Sequence, residues 1–373
     1  MCAIIFTHNW HQAEKLFPFS LTTAAEDMPV GMLTNRRRWE LIVQKELKNE
    51  PGMYWFIPAN LLPSRQLIER LRCFSKGDFI ILANGQPIGY GESEAGFSGA
   101  LVAGLPADAV DFIEYSWQLF ERNAGLLHFD FSLLTDQELS APLDAGNRLA
   151  GEENIFVEAG ADVRFSMINA TEGPVYISKN ALVMEGTCIR GPVFIGEHAV
   201  VKMGTRIYGG TTIGAFCTVG GEIKNSVLFP FSNKAHDGYL GDSVIGKWCN
   251  LGAGTSNSNL KNTAGNIRVT LPSGTYNAGI KCGVLMGDYS KAAINTSFNS
   301  GTVTGVCANI FGKGLTPKWI PSFSWGDDAA TIYDLSKALE HLERWMQTKK
   351  QSMTEAEKEL ITHIYNQTKT EKS

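Results

Sequence analysis

The sequence predicts an α/β N-terminal domain, followed by a left-handed parallel β-helix of hexapeptide repeats and by C-terminal helices. Three observations support this fold class: a six-residue repeat of branched aliphatic residues in the middle of the chain, an alternation of strand-like and helix-like segments before it, and an amphipathic segment after it. The expected domains are residues 1–150, 151–326 and 327–373.

The six-residue repeat is the strongest signal. A period of six fits neither an α-helix nor a heptad, but it fits a chain that forms a short strand, turns and repeats. The large residues of the repeat are Ile177, Val183, Ile189, Ile195, Val201, Ile207, Ile213 and Val219, and the slender ones four positions later are Ala181, Thr187, Val193, Ala199, Thr205, Thr211 and Cys217. We expect both sets to fill the interior of one solenoid.

The repeat loses its phase twice, and such irregularities often mark the binding face of a solenoid. After Val219 it shifts by two residues and resumes as Val227, Asn233, Tyr239, Ile245 and Leu251. Residues 256–283 interrupt it again, and residues 267–280 are expected to form a projecting hairpin. A looser series predicts the last coils: Met286, Ala292, Phe298, Thr304 and Ile310.

The flanking regions follow other patterns. The N-terminal region alternates strand-like and helix-like segments, which predicts an α/β domain. The tail at 329–349 is amphipathic, and Thr354 with Glu357 forms a capping box that should open a last helix. The strand-like segments are Ala3–Phe6, Tyr54–Ile57, Phe79–Ala83 and Ala100–Ala103, and the helix-like ones are Arg37–Glu46, Arg65–Cys73 and Ala109–Glu121.

Composition narrows the range of partners. The 373 residues carry a net charge of −5, which argues against a general nucleic-acid-binding surface. No stretch approaches the ~20 apolar residues of a membrane span, and the N-terminus lacks the basic segment of a signal peptide. The seven cysteines are scattered without CxxC spacing, which predicts reduced thiols rather than a zinc site or a disulfide framework. We therefore expect a cytoplasmic protein with neither nucleic acid nor membrane as partner.

Most of the reactive side chains lie where the repeat shifts. Glu222, Lys224, His236, Asp237, Tyr239, Asn250 and Asn259 fall within 38 residues, with Arg206 just before them. In a regular coil of three hexapeptides Lys224 should lie directly above Arg206, and two stacked cations suit an anionic group such as a phosphate. The alternative is a solvated face with scattered charges.

His236 is the candidate general base. A histidine near neutral pH can accept the proton of an attacking group. A surface or packing histidine is the alternative. No serine or cysteine has the G-x-S-x-G context of a nucleophile, so direct transfer to a substrate amine is more natural than a covalent intermediate.

The same segment carries a resemblance to a known family. The run at 232–242, with Ile245-Gly246 and the run at 250–255, resembles the acetyltransferase domain of the bifunctional GlmU enzymes, which acetylate glucosamine-1-phosphate and then uridylylate it. The phrases at 181–186, 233–238 and 321–326 extend the resemblance to a GlmU-like group of sugar nucleotidyltransferases. It implies N-acetylation of a phosphorylated or nucleotide-linked amino sugar, with acetyl-CoA as co-substrate, by a homotrimer whose site lies between neighbouring β-helices.

The resemblance also assigns roles to individual residues. It implies that His236 is the general base and that Glu222 orients it. It implies sugar-phosphate contacts by Arg206, Lys224 and Tyr239, a contact near the amine by Asn250, and acetyl-CoA contacts by Ala253 and Asn259. Asp288 takes the place of a serine that contacts coenzyme A, Gly265 stands where a further phosphate lysine is expected with Arg268 nearby, and the family's coenzyme-binding arginine has no counterpart.

The N-terminal domain departs further from the family. An active nucleotidyltransferase needs a glycine-rich loop at the triphosphate and an acidic residue for Mg²⁺. Here no glycine precedes Gly31, and Pro58-Ala59-Asn60 stands where the family has an acid. We expect a reduced nucleotidyltransferase-like fold, with Mg²⁺ required only if the domain is active. The run Arg36-Arg37-Arg38 could hold a phosphate, although a solvated helix start is the simpler interpretation.

Three functions remain open from the sequence. The first is an acetyl-CoA-dependent acyltransferase acting on an amino sugar. The second is a sugar-1-phosphate nucleotidyltransferase that uses Mg²⁺ and a nucleoside triphosphate. The third is a non-catalytic trimeric protein that binds a sugar nucleotide.

Overall fold

The structure is a computed structural model that describes residues 3–8, 10–82, 84–92, 110–136, 138–326 and 331–372. The three predicted parts are present in the predicted order. No helix among these residues is long and apolar enough to cross a membrane. The α-helices are α1 (Trp10–Lys15), α2 (Asn35–Glu46), α3 (Arg65–Arg72), α4 (Gln118–Thr135), α5 (Leu335–Gln347) and α6 (Glu355–Lys372), and short 3₁₀ helices span Phe19–Leu21, Ala25–Asp27 and Glu152–Asn154.

A four-stranded mixed sheet forms the centre of the N-terminal region. Its strands, in spatial order, are Ala3–Thr7, Tyr54–Pro58, Pro87–Gly91 and Phe79–Ile81. The first two run parallel and the other neighbours are antiparallel. Two small antiparallel pairs accompany it, Pro29–Val30 with Leu33–Thr34 and Leu61–Leu62 with Asp111–Phe112.

The sequence predicted three of the four strands of this sheet and helices α2 and α3, but not the strand Pro87–Gly91, helix α1 or the two small strand pairs. The predicted helix at 109–121 is wrong in position, because residues 111–112 form a strand and α4 begins only at Gln118. The predicted strand at 100–103 lies outside the described residues.

The central part is a parallel β-helix with three faces. The first face holds Ile155–Val157, Val175–Ile177, Val193–Ile195, Thr211–Ile213, the second halves of Glu222–Leu228 and Tyr239–Ile245, Val284–Met286, Thr302–Thr304 and Trp319–Ile320. The second face holds Asp162–Val163, Leu182–Val183, Val200–Val201, Thr218–Val219, Asn233–Lys234, Asn250–Leu251, Lys291–Ala292 and Asn309–Ile310. The third face holds Arg148–Ala150, Met167–Asn169, Cys188–Arg190, Arg206–Ile207, the first halves of the two long strands, Ser256–Asn257 and Ser297–Phe298.

The side chains that fill the interior of the β-helix are those that the six-residue repeat predicts. Every large and every slender residue of the repeat from 177 to 219 is at most 2% exposed. The late series from Met286 to Ile310 is buried as well. The hairpin predicted at 267–280 is also confirmed, as the antiparallel strands Arg268–Leu271 and Gly274–Asn277.

The register that we predicted after Val219 is wrong for its first three members. Val227 points outward and packs against the N-terminal region, and the side chains inside the solenoid belong to the next residues, Leu228, Lys234 and Leu240. The chain regains the predicted register at Ile245 and Leu251, which are both in the core.

The N-terminal region docks onto the first face through α4 and the segment before α2. Asn123 of α4 connects the two parts: its side-chain oxygen accepts from the Gly31 amide at 2.6 Å and from the Thr212 hydroxyl at 3.1 Å, and its side-chain nitrogen donates to the Gly210 carbonyl. Beside it, Arg38 and Asp130 form a completely buried ion pair at 2.7 Å. Buried polar groups that satisfy one another in this way fix one docking geometry.

The C-terminal helices pack on the edge between the first and second faces. Trp248, Tyr289, Cys307 and Phe323 occupy this edge in successive coils and form a common core with α5 and α6. The predicted capping box is present: the Thr354 hydroxyl accepts from the Glu357 amide at 3.2 Å, and the Glu357 carboxylate accepts from the Thr354 amide at 2.9 Å.

Candidate functional site

The site region is built on shortened coils. On the second face Val183 pairs with Val201, and Val201 pairs with Val219, so successive partners are three full hexapeptides apart. Val219 then pairs with Lys234, and this step is shorter by three residues. Two of the three missing residues are lost at the corner between the second and third faces, where only Gly220 and Gly221 separate Val219 from the next strand. We call this segment the short coil.

The short coil sets which side chains stack on the third face. Arg206 pairs with Glu222, and Glu222 pairs with Tyr239 in the next coil. A guanidinium nitrogen of Arg206 lies 3.5 Å from the Glu222 carboxylate. The prediction that Lys224 lies above Arg206 is therefore wrong, since Lys224 pairs with Gly241. Its exposed ammonium still lies on the same face, two residues beyond Glu222.

Tyr239 belongs to a hydrogen-bonded group that extends to Asn259. The Asn259 side-chain nitrogen donates to the Tyr239 hydroxyl at 3.1 Å and also to the buried carboxylate of Asp242. The other oxygen of Asp242 accepts from Asn225 at 2.7 Å. Burial and the nearby charge of Asp242 raise the pKa of Tyr239 to about 12, so its hydroxyl stays protonated near neutral pH.

His236 and Ala253 lie at the corner between the second and third faces. Lys234 and Leu251 are stacked core positions of successive coils, and His236 and Ala253 each follow two residues later. The Asp237 carbonyl accepts from the Gly254 amide at 3.0 Å, which joins the two turns. Both side chains are exposed, and neither Glu222 nor any other described side chain hydrogen-bonds to the His236 imidazole. The expected orientation of His236 by Glu222 is therefore not formed within one chain.

Lys234 supports this corner from inside the solenoid. It stands in a row that is otherwise apolar, between Val219 and Leu251, and its side chain is fully buried. Its ammonium donates to the backbone carbonyls of His236 and Asp237. Burial lowers the pKa of Lys234 to about 8. A buried cation is costly, and here its partners are the carbonyls of the turn that carries His236.

Two predicted residues lie elsewhere. Asn250 projects from the second face, where it pairs with Asn233 and Lys291. The structure contradicts the expected coenzyme contact of Asp288, because its side chain is completely buried and has no exposed surface for a coenzyme. Its carboxylate accepts from the Thr22 hydroxyl at 2.7 Å and from the Lys247 amide at 2.9 Å. Burial raises the pKa of this carboxyl. Its contacts tie the N-terminal region to the β-helix.

The third face also carries a basic hollow of about 600 Å³ beside the short coil. Its walls include the side chains of Arg148, Arg190 and Arg206 together with Met167 and Tyr208. The arginines offer planar donors for an anionic group, and the apolar residues offer a surface for the rest of a ligand.

Lys234 and Asp242 are the residues of the candidate site that sequence reasoning missed. Both lie in the segment that resembles the GlmU enzymes, and this resemblance was the sequence signal that could have identified them. Lys234 was overlooked because the predicted register placed Asn233, not Lys234, in the interior. Asp242 was overlooked because nothing in the sequence shows that its carboxylate is buried between two asparagines.

All three arginines of the run at 36–38 form ion pairs within the N-terminal region. Arg36 pairs with Glu26 and Asp27, Arg37 pairs with Glu40, and Arg38 is buried against Asp130. The interpretation of a solvated helix start is wrong for Arg38. Within the described ranges, no cluster of three or more His, Cys, Asp or Glu side chains is arranged to hold a metal ion.

Sequence comparison relates part of the chain to bifunctional sugar transferases. It is 36% identical over 84 residues to the bifunctional protein GlmU of Methanocaldococcus jannaschii, which is 22% of this chain and 21% of that protein. It is 33% identical over 91 residues to a bifunctional sugar-1-phosphate nucleotidylyltransferase/acetyltransferase of Sulfurisphaera tokodaii, covering 24% of this chain and 23% of that protein. The matches thus span about a fifth to a quarter of these relatives. No protein-family model matches the chain.

Among solved structures, the chain matches the UDP-N-acetylglucosamine acyltransferase of Francisella novicida at 16% identity, with a TM-score of 0.30, over 61% of this chain and 87% of that one. A TM-score this low supports no conclusion about this chain. Together, the comparisons make the chain similar, over the matched segment, to the GlmU enzymes and to a sugar-1-phosphate nucleotidylyltransferase/acetyltransferase.

Proposed function

We propose that the protein is an acyltransferase that uses acetyl-CoA to acetylate the amino group of a phosphorylated or nucleotide-linked sugar. The observation that carries the proposal is the corner at His236, where an exposed imidazole stands on a turn whose backbone carbonyls bind the buried Lys234. This corner adjoins the third-face row of Arg206, Glu222 and Tyr239. The partial likeness to bifunctional GlmU enzymes supports the same activity.

The proposed chemistry is a direct transfer. The sugar amine attacks the thioester carbon, His236 accepts the amine proton, a C–N bond forms and the C–S bond breaks, and the departing thiolate takes up a proton. Arg206 and Lys224 would bind the sugar phosphate as cations. Ala253 and Asn259 would contact the acetyl-CoA, with backbone amides of the corner available for the thioester oxygen.

We also propose that the working form is a homotrimer. Met203 and Ile294 occupy the outermost corner position that His236 occupies in its own coil, and they are 65% and 69% exposed. Exposed apolar side chains along one edge favour burial against another protein surface. A neighbouring subunit on this edge would complete a site that one chain leaves open, and it could supply the partner that the His236 imidazole lacks.

The N-terminal region has a structural part in this proposal. Asn60, in the segment that stands where the family has an acid, is buried and its side-chain nitrogen donates to the Ile113 carbonyl. Asp130 is buried in its ion pair with Arg38. We therefore propose no nucleotidyl transfer, and no requirement for Mg²⁺. Release of pyrophosphate from UTP or dTTP with a sugar phosphate would contradict this.

The transfer is tested by following free thiol release from acetyl-CoA with glucosamine-1-phosphate and with UDP-linked amino sugars. We expect turnover with at least one of them, and a loss of about 100-fold or more in His236→Ala. His198→Ala is the matched control, since His198 is another exposed histidine at a corner of the β-helix. It should keep wild-type turnover.

Two outcomes would contradict the proposal. One is an unchanged rate in His236→Ala. The other is tight binding of a sugar nucleotide without acetylation of any amino sugar, which would favour the non-catalytic binding protein. Sedimentation of the same samples tests the trimer, and Met203→Glu should lower both the oligomer fraction and the turnover if the edge is the subunit contact.

A further inference from the structure

A second cluster of polar side chains lies on the second face of the β-helix, away from the third face. Asn250, Lys291 and Asn309 project outward from the second face in three successive coils, paired directly with one another. Neighbouring coils are ~4.8 Å apart, so the three side chains form one short row with the ammonium between two amides.

Helix α5 and the turn before it cover this row but do not fill the space. A cavity of about 250 Å³ remains between them. Tyr333, His341, Leu342 and Trp345 line its outer wall. The Trp345 ring lies over the Lys291 ammonium at 4.5 Å, and the Tyr333 hydroxyl hydrogen-bonds to the His341 ring at 2.5 Å.

Several hydrogen-bond donors along the cavity have no acceptor among the described residues. Lys291 donates to the Trp248 carbonyl and forms no ion pair with any described carboxylate. The indole nitrogen of Trp345 is buried and has no acceptor in the described part of the chain. The side-chain amides of Asn250 and Asn309 make no hydrogen bond to the residues that the structure describes.

The local charge is positive as well. Lys349, just beyond the end of α5, lies close enough to Lys291 to disfavour its charged form, and it binds the Phe216 carbonyl and Asn233 rather than a carboxylate. Burial lowers the pKa of Lys291 to about 8. It still carries a proton at neutral pH, in surroundings where a bound anion would be strongly attracted.

We propose that this cavity is a binding site for a small organic anion, distinct from the transferase site. The anionic group lies against Lys291 and accepts hydrogen bonds from the amides of Asn250 and Asn309 and from the Trp345 indole. The carbon skeleton of the ligand lies against Leu342 and the indole ring. Because α5 forms one wall, binding also fastens the C-terminal helix to the β-helix.

In this arrangement Asn250 binds the anion in the cavity, rather than contacting the sugar amine as the resemblance implies. A carboxylate and a phosphate share the required chemistry, since both are acceptors that a cation and amide donors can bind. The two probes are therefore malonate and inorganic phosphate.

The test is calorimetric titration of the full-length protein with each probe, in a buffer without other multivalent anions. We expect at least one probe to bind. Lys291→Met should weaken that binding by about 10-fold or more, and Trp345→Phe, which keeps the ring but removes the donor, by about 3-fold to 10-fold. Lys337→Met is the matched control on the exposed side of α5 and should bind like wild type.

Arg206→Gln separates this site from the third face. Binding that survives in Arg206→Gln and is lost in Lys291→Met supports the cavity, and the probe that binds identifies the ligand as phosphate-like or carboxylate-like. Binding that is lost in Arg206→Gln and unchanged in Lys291→Met overturns the proposal, as does the absence of binding by both probes. If Lys291→Met does not fold, unchanged binding in Trp345→Phe overturns it instead.

Discussion

The regular coils and the short coil pair their strands in the same parallel way, but they differ in length, in one corner and in one interior residue. Between Val183 and Val219 each coil has three full hexapeptides, an apolar interior and a four-residue corner between the second and third faces. The coil that follows is shorter by three residues, and it has a two-glycine corner and a lysine in its interior. The regular coils supply a rigid core, and the polar groups of the candidate site gather at the irregular one.

The comparison shows how a solenoid can build a site without a loop. Shortening one corner brings Gly220 and Gly221 directly against the turn of the next coil, which carries His236. A Cβ atom at Gly221 would lie only 2.9 Å from the His236 carbonyl oxygen and 2.7 Å from that of Gly238. The buried lysine then binds the same turn from inside.

The largest difference between the two kinds of coil should appear on substituting their corner glycines. Gly221 and Gly204 both have positive φ, +77° and +69°, but a Cβ at Gly204 meets no atom within 4 Å. Each change to alanine should cost ~1 kcal/mol of unfolding free energy for the backbone conformation. Gly221→Ala should cost a further ~1–3 kcal/mol for the clash, together with most of the transferase activity.

Urea unfolding and the thiol-release assay measure both effects. Equal losses in the two variants would mean that the short coil is no more tightly packed against its neighbour than a regular one.

The next effect concerns pH and the buried lysine. Lys234 titrates at about 8 in the folded protein and at its ordinary value of 10.5 when unfolded. Between these values the unfolded chain binds a proton that the folded chain does not, so this group makes the unfolding free energy rise with pH, by up to about 1.4 kcal/mol per pH unit. Lys234→Met should remove that contribution.

The measurement is the slope of the unfolding free energy against pH above 8, in wild type and variant. Comparing the two slopes cancels the opposite contribution of the buried cysteines, such as Cys217 and Cys249, whose pKa burial raises to about 12. Lys337→Met, which leaves Lys234 in place, should reproduce the wild-type slope. Parallel lines for wild type and Lys234→Met would show that the lysine is not held as the structure has it.

The smallest effect should come from the third-face row. Tyr239→Phe removes the hydroxyl that accepts from Asn259, at a cost of ~1 kcal/mol. Tyr208→Phe, two coils earlier on the same face, removes a hydroxyl that has no such partner among the described residues and should change stability little. Steady-state kinetics should also show a several-fold higher KM for the sugar phosphate in Tyr239→Phe. Identical stabilities of the two variants would contradict the hydrogen bond.

The fold was predictable because the repeat is strictly periodic. Positions such as Ile189 and Thr205 each fall on one side of a short strand, and a period of six leaves no other way to bury them all. The period no longer predicts which residues point inward where a coil is shorter than three hexapeptides. The three residues missing from the short coil moved Lys234 inward and placed Arg206 over Glu222 instead of Lys224.

The sequence by itself determined the β-helix, its interior columns, the hairpin, the last helix with its cap, and the segment in which reactive side chains are concentrated. Only the tertiary structure decided which of those side chains meet. It buried Asp288 beneath Thr22 and separated Asn250 from the third face, and it left the His236 imidazole without a partner in its own chain. The reason is geometric: stacking partners depend on the exact number of residues in each coil and on which faces the terminal regions cover, and neither can be read from local sequence.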